Sequence, residues 1–117
     1  MDKDKSYKRT SGALDELLGK GMSNTHSRTL HELKTWPVAF QPLIDGKKNF
    51  EYRKNDRNFK VGDYLYLREF NPEKAQYTGR HCHAEVEYIL DGSVFPVKKG
   101  YVIMSIRVYD IMDKIEI

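Results

Sequence analysis

Cysteine is almost absent from this chain of 117 residues, since Cys82 is the only one. An internal disulfide is therefore excluded, and a reducing, cytoplasmic compartment is expected. One cysteine and four histidines also supply few ligands for a structural zinc site, and the sequence has no Cys-x-x-Cys pair. The composition predicts neither a bound metal nor another cofactor.

Long apolar runs are absent as well. No stretch approaches the roughly 20 residues that cross a bilayer. The first residues, Met1 to Lys5, have no apolar segment of the kind found in a secretory leader. Neither a membrane partner nor a secreted protein is expected. The length suits a single domain, and the 32% share of charged residues is typical of a soluble globular chain.

Net charge is small, but positive charge is concentrated in one stretch. The whole chain has a formal net charge of +3. Between Lys47 and Lys60 there are six cations and two anions, a local net charge of +4. Such a stripe points to an anionic partner, with nucleic acid first among the candidates. On charge alone, however, a solvated strand face whose lysines keep the chain soluble is the favoured interpretation.

Aromatic residues are scarce in residues 1–28, which differ in composition from the rest of the chain. A short helix from Ala13 to Leu18 would place three leucines on one face. Glycines flank this segment, so the helix would be marginal on its own. We expect residues 1–28 to form a flexible N-terminal arm and residues 29–117 to form the folded domain.

Alternating apolar and polar residues predict five strands. They cover Thr29–Thr35, Asn49–Asn55, Tyr64–Phe70, Arg80–Leu90 and Tyr101–Tyr109. A helix is expected between Pro37 and Gly46, because proline suits a first helical turn and glycine suits the position after the last. Pro42 predicts that this helix is short or kinked. Residues 71–79 are expected to form a loop. Together the pattern favours a small mixed α/β barrel.

The stretch Gly46-x-Lys48-x-x-Glu51-x-Arg53 resembles the signature of ASCH domains in the PUA-like superfamily. Other matching pieces follow in order: His31-Glu32-Leu33-Lys34, Arg53-Lys54-Asn55-Asp56-Arg57, Val61-Gly62-Asp63, Tyr77-Thr78-Gly79-Arg80 and Gly100-Tyr101-Val102. Over residues 29–109 the chain is similar to a bacterial and phage branch of that superfamily. The resemblance implies a PUA-like mixed β-barrel of about five strands, one or two short helices, and a cleft beside the motif strand.

The resemblance also carries functional implications. Related domains are thought to bind RNA, and one branch hydrolyses N4-acetylcytidine to cytidine and acetate. In that branch a threonine occupies the position of Glu51 and acts with the motif lysine, which is Lys48 here. A carboxylate is a poorer acyl acceptor than a hydroxyl, so the departure favours binding over hydrolysis. If the chain is an enzyme, its candidate catalytic residues are Lys48, Glu51 and Glu69.

A nucleic-acid-binding module, first of all for RNA, is the function that we expect. Glu51 and Arg53 are two residues apart on one strand, so they share a face and could pair. Arg53 and Lys48 would hold phosphate, while Glu51 would accept a hydrogen bond from a base amine. The candidate nucleic-acid-binding residues are Lys34, Lys48, Glu51, Arg53, Lys54, Asn55, Arg57 and Arg80.

Several other side chains have both a structural and a functional interpretation. Glu69 lies on the apolar side of its strand, where it is expected to be exposed at the strand end, bonded to Arg53 or Lys34, or a cleft acid with a raised pKa. His31 is expected to be a hydrogen-bonded structural residue. His81 and His83 share one strand face, and we expect that face to be a polar, solvent-facing surface instead of a metal site. Three aromatic residues could stack on bases or cover the barrel: Trp36, Tyr52 and Tyr77.

Two further functions stay open. One is a small amidohydrolase acting on a modified nucleoside, and the other is a phage-type effector that binds a host protein. A threonine or serine at position 51 would favour the first, and an acidic surface would favour the second. The chain has Glu51 and a basic stripe instead, so RNA or a modified nucleoside is the expected partner. The sequence does not distinguish RNA from DNA, nor does it indicate the oligomeric state.

Overall fold

A computed structural model of the protein describes residues 28–115, which form five strands and one helix. The elements, in chain order, are β1 (Leu30–Thr35), α1 (Pro37–Ile44), β2 (Phe50–Lys54), β3 (Tyr64–Asn71), β4 (Gln76–Leu90) and β5 (Tyr101–Met112). The predicted helix at Ala13–Leu18 and most of the predicted arm lie outside the described residues. The division of the chain near residue 28 therefore stays a prediction.

All five strands belong to one mixed sheet, with the order β1-β3-β4-β5-β2. β1 pairs with β3 in parallel, whereas the other three pairings are antiparallel. β1 and β2 are therefore the two edges of the sheet. Side chains of the β2 region reach the backbone of β1. The sheet is therefore curved enough to bring its two edges near each other. The predicted small mixed α/β barrel is confirmed, in the form of a half-barrel.

The two edges are bridged by arginine side chains. Arg53 Nη2 donates to the Lys34 carbonyl at 3.0 Å, and Arg57 Nη1 donates to the Glu32 carbonyl at 2.9 Å. These carbonyls belong to an edge strand, so they need partners from outside the sheet ladder. The arginines supply such partners, and part of the cationic stripe therefore has a structural role.

The core lies on the concave face of the sheet under α1. Leu65 and Leu67 of β3 and Met104 of β5 are fully buried, as the alternation predicts. Phe40 and Leu43 of α1 pack against them and plug the half-barrel. Burying each such side chain contributes about 1.5–3 kcal/mol. This apolar floor fixes which way the polar residues on the same face point.

The helix α1 begins and ends as its proline and glycine predict. Pro37 is in the first turn, and the chain leaves the helix through Asp45 and Gly46. Gly46 has a φ of 75°, a left-handed conformation in which glycine is not strained. With only eight residues, α1 is the short helix that Pro42 predicts. This turn leads directly to Lys48 and β2.

The predicted loop over residues 71–79 is wrong, because β4 already begins at Gln76. A tight turn replaces the loop. Asn71 Oδ1 accepts hydrogen bonds from the backbone N–H groups of Glu73 and Lys74, and Ala75 takes a positive φ of 53°. An asparagine at the start of a turn stabilises it in this way. Arg80 consequently lies inside a long strand, not at its start.

The alternation of β4 predicts that Ala84, Val86 and Tyr88 share one face, but this holds only in the middle of the strand. Ala84 and Val86 are buried, but the register against β5 shifts between Val86 and Tyr88. Tyr88 is consequently exposed instead of facing the core. A bulge of this kind reverses the side that each later residue faces. Within residues 28–115, the helix is neither long enough nor apolar enough to cross a membrane.

Candidate nucleic-acid interface

A buried carboxylate lies at the centre of the candidate site. Glu51 projects from β2 into the half-barrel, and its side chain is only 3% exposed. Its Oε2 accepts a hydrogen bond from Lys48 Nζ at 2.6 Å, and its Oε1 accepts one from Arg53 Nε at 2.8 Å. A buried charge needs such partners. The predicted pairing of Glu51 with Arg53 is confirmed, and Lys48 is a second partner.

Local structure explains how the three side chains meet. Glu51 and Arg53 alternate with Phe50 and Tyr52 along β2, so both charged residues face inward. Lys48 comes from the turn that follows α1 and reaches Glu51 from the other side. Arg53 is also held by the β1 edge, because its Nη2 donates to Thr35 Oγ1 at 3.2 Å as well as to the Lys34 carbonyl.

The three side chains retain unused hydrogen-bonding capacity. A carboxylate has about four acceptor positions, a lysine three donors and an arginine five. Within residues 28–115, Glu51 accepts two hydrogen bonds, Lys48 Nζ donates one, and Arg53 donates from Nε and Nη2. Donors on Lys48 and on Arg53 Nη1, and acceptor positions on Glu51, are left for a ligand. The cluster can therefore recognise a group that both donates and accepts.

An open pocket of about 370 Å³ lies above this cluster. Its walls include two aromatic side chains that are half exposed, Trp36 at 57% and Tyr52 at 50%. Val38 of α1 and Lys34 of β1 complete the mouth, while Lys48, Glu51 and Arg53 form the polar end. Aromatic walls over a charged floor suit a flat ligand with a polar edge.

Another buried acid, Glu69, has a different partner from those predicted, and the expected exposure at the strand end is wrong because the residue is buried. Its Oε1 and Oε2 accept hydrogen bonds from Arg80 at 2.8 and 2.9 Å, and Thr78 Oγ1 donates to Oε1 at 2.7 Å. The expected bond to Arg53 or Lys34 is thus replaced by a bidentate one to Arg80. The Arg80 guanidinium lowers the pKa of the Glu69 carboxyl, with Thr78 adding to the effect against the opposing burial. The alternative of a cleft acid with a raised pKa is wrong.

The structure brings together four of the predicted binding residues: Lys34, Lys48, Glu51 and Arg53. Arg80 does not line the pocket. Besides binding Glu69, it donates to Gln41 Oε1 at 3.0 Å and lies beside the Phe40 ring. Asn55 Oδ1 accepts a hydrogen bond from the backbone N–H of Phe59 and so stabilises the segment that follows β2. Contact between these predicted residues and a nucleic acid stays a prediction.

The other two predicted cations lie beyond the pocket. Lys54 ends β2 with an exposed side chain, and Arg57 spans the two sheet edges. Thr35 is a pocket residue that sequence reasoning missed. Its position in the sequence could have identified it, because Thr35 shares the inward side of β1 with His31 and Leu33. A small hydroxyl residue on an otherwise buried face needs a polar partner.

Cys82 is close to the charged cluster but is not suited to nucleophilic chemistry. The side chain is fully buried in β4. Burial raises the pKa of the Cys82 thiol to about 12, and the nearby Glu51 carboxylate raises it further, against the effect of Lys48. A thiolate is the reactive form of cysteine. Cys82 therefore behaves as a packed apolar residue behind the pocket.

The histidines have structural surroundings. His31 Nε2 lies 2.8 Å from Asp63 Oδ2, and both side chains are buried, which confirms the predicted structural histidine. His83 stacks on Tyr66, with ring centroids 4.9 Å apart, and burial lowers the pKa of its imidazole. Among residues 28–115, no group of three or more histidine, cysteine and acidic side chains could hold a metal ion.

Comparison with known proteins places the chain in a family. The domain of unknown function DUF3850 matches residues 30–106, which contain the whole strand set up to the middle of β5 and every residue of the pocket. The chain therefore belongs to the DUF3850 family.

One relative is a protein of Escherichia phage P2, described as "Uncharacterized 12.9 kDa protein in GpA 3'region". It is 37% identical to this chain over 62 residues, which is 53% of this chain and 55% of the phage protein. The similarity thus spans about half the length of each protein, and it connects this chain to a phage relative.

Proposed function

We propose that the pocket between α1 and β2 binds a base of single-stranded nucleic acid, and of RNA in particular. The observation that carries the proposal is the combination of two half-exposed aromatic walls, Trp36 and Tyr52, with a Lys48–Glu51–Arg53 cluster at the polar end in which the carboxylate is buried and the two cations are partly exposed. An isolated structural ion pair would not need an open, aromatic-lined pocket above it. A base presents both a flat face and a polar edge to such a site.

The cluster suits the polar edge of a base. Glu51 retains acceptor positions for an exocyclic amine, while Lys48 and Arg53 Nη1 retain donors for a ring nitrogen or carbonyl oxygen. Because Glu51 is already bonded to two cations, it offers a fixed acceptor and needs little reorganisation when a ligand arrives. The aromatic walls supply stacking, which contributes about 1–3 kcal/mol per base.

Cations at the mouth suit the phosphates of the same strand. Lys34 lines the pocket, and Lys54 is exposed at the end of β2. Lysine acts on phosphate as a point charge without a fixed geometry. Each such contact releases counterions, so affinity should fall by roughly 0.7 log units per contact for each tenfold rise in salt.

We favour RNA over DNA as the ligand because the chain resembles ASCH domains. The signature residues Lys48, Glu51 and Arg53 are those that build the pocket. We propose that the DUF3850 fold is a branch of the PUA-like superfamily and that it uses its signature for ligand recognition. This function fits the cytoplasmic location that the composition predicts.

Trp36 provides a direct test, because it is the only tryptophan of the chain and lies in the pocket wall. Single-stranded RNA oligonucleotides of mixed sequence are titrated into the protein while tryptophan fluorescence is recorded. We expect quenching with the salt dependence given above, and at least tenfold weaker binding for Glu51→Gln and for Lys34→Ala. A gel-shift titration of Trp36→Ala checks the stacking contribution.

Lys114→Ala is the matched control, since Lys114 is an exposed lysine beyond the end of β5. It should bind RNA as the unaltered protein does. The proposal fails if RNA and DNA pools give no salt-sensitive binding. It also fails if Lys34→Ala and Lys114→Ala weaken binding equally, because binding would then reflect net charge alone.

A further inference from the structure

A second groove, of about 380 Å³, lies on the outer face of the sheet behind the pocket. Its floor consists of Phe50 and Tyr52 of β2 and Ile103 of β5, and its far wall is the segment from Pro96 to Lys98. Tyr52 lines this groove and also lines the pocket on the other side. The two concavities therefore meet at one side chain of an edge strand.

The outer groove has the chemistry of a stacking surface. Phe50 is 47% exposed, and the Tyr52 ring lies 5.2 Å from that of Tyr101. Lys98 Nζ lies 4.7 Å from the Tyr101 ring centroid, and Lys54 is the register partner of Tyr101 on β2. Contiguous exposed aromatic residues mark a binding surface. Their two neighbouring ammonium groups make an anionic occupant the favourable one.

The position of β2 allows one ligand to use both concavities. β2 is an edge of the sheet, so a chain can pass from the concave to the convex face over Tyr52 without crossing another strand. The residues that line the outer groove include a lysine and no carboxylate. A single nucleic-acid strand matches this arrangement, because it carries a negatively charged phosphate between two flat bases.

We propose that the outer groove binds the base next to the one in the pocket, so that the protein holds two successive nucleotides of a strand wrapped over β2. The first base lies against Trp36 and Tyr52, the second lies against Phe50, and the intervening phosphate lies near Lys54. This inference rests on the proposed function, because it extends the same strand from the pocket around the sheet edge.

Affinities for ribonucleoside monophosphates and for the corresponding dinucleotides test the inference, with NMR titration as the measurement. One additional stacked base corresponds to roughly 5- to 140-fold tighter binding of the dinucleotide. Phe50→Ala should abolish this gain while mononucleotides still bind in a Glu51-dependent way, whereas Glu51→Gln should weaken both. Val61→Ala is the control, because Val61 is an exposed apolar residue of the turn before β3. Circular dichroism verifies that each variant folds.

The outcomes separate the two proposals. Glu51-dependent binding of mononucleotides without any gain for dinucleotides overturns the outer groove and leaves the pocket function in place. Absence of binding to either ligand overturns both. If Phe50→Ala instead changes the oligomeric state in size-exclusion chromatography, the groove is a contact between copies of this chain and the inference is wrong.

Discussion

Replacing Glu69 with glutamine tests whether this buried acid is a structural partner of Arg80. The carboxylate accepts two hydrogen bonds from the Arg80 guanidinium and one from Thr78 Oγ1, at 2.7–2.9 Å. A glutamine has a single acceptor oxygen, so its amide nitrogen would face one of the two guanidinium donors. The substitution therefore removes one charge-assisted hydrogen bond and the countercharge of Arg80.

We expect the free energy of unfolding to fall by about 2–4 kcal/mol. A hydrogen bond to a charged group contributes about 1.5–3 kcal/mol, and separating a fully buried pair costs about 3–5 kcal/mol. The Arg80 side chain keeps 16% exposure, so water compensates it in part. Urea denaturation at pH 7 measures the change. Glu73→Gln, an exposed substitution in the turn before β4, should stay within about 0.5 kcal/mol of the unaltered protein.

The same pair predicts a pH dependence. Because Arg80 lowers the pKa of the native Glu69 carboxyl, its stabilisation is fully present above the ordinary glutamate value of 4.5 and is lost as the pH falls through the lower native pKa. The stability gap between the unaltered protein and Glu69→Gln should therefore be constant above about pH 5 and shrink below it. A gap that persists unchanged at about pH 3, or a variant as stable as the unaltered protein at pH 7, would refute this reasoning.

Three further substitutions or assays have defined expected results. Asp63→Asn should lower the unfolding free energy by about 1–3 kcal/mol in urea titrations, because Asp63 accepts backbone N–H groups of Thr29 and Lys60 beside its contact with His31. Cys82, with a thiol pKa of about 12, should react with iodoacetamide at pH 8 only as fast as the protein unfolds; rapid labelling contradicts this. N4-acetylcytidine should not be hydrolysed, as followed by liquid chromatography, because both carboxylate oxygens of Glu51 are bonded to cations and position 51 offers no hydroxyl nucleophile; turnover abolished by Glu51→Gln would establish the amidohydrolase.

The helix and the inward faces of the strands could be predicted because they depend on local chemistry. Pro37 and Gly46 bound α1 through their backbone conformations, and Leu65 and Leu67 face the core because side chains alternate along a strand. The Glu51–Arg53 pair belongs to the same class, since two residues on one strand share a face in any fold. Its location on the basic stretch made it the natural centre of a candidate site.

The turn after β3 could not be predicted from local chemistry in the same way. Pro72 and Gly79 favoured a long loop, but hydrogen bonds from Asn71 Oδ1 close the turn early. Strand pairing then continues from Gln76, because β4 has β3 as a partner along this stretch. The bulge before Tyr88 arises in the same way, from pairing with β5, and no pattern within β4 predicts it.

The sequence by itself determined the central parts of the five strands, where the helix starts and stops, and that Glu51 and Arg53 share a strand face. The tertiary structure decided which partner each charged residue has. Glu69 meets Arg80 because β3 pairs with β4, and Arg57 reaches β1 because the sheet curves until its edges are close. The pocket between Trp36 and Tyr52 likewise joins the end of β1 to the opposite edge strand. The periodicity of a strand defines its faces, but contacts between distant segments depend on strand order and curvature, which are properties of the whole sheet.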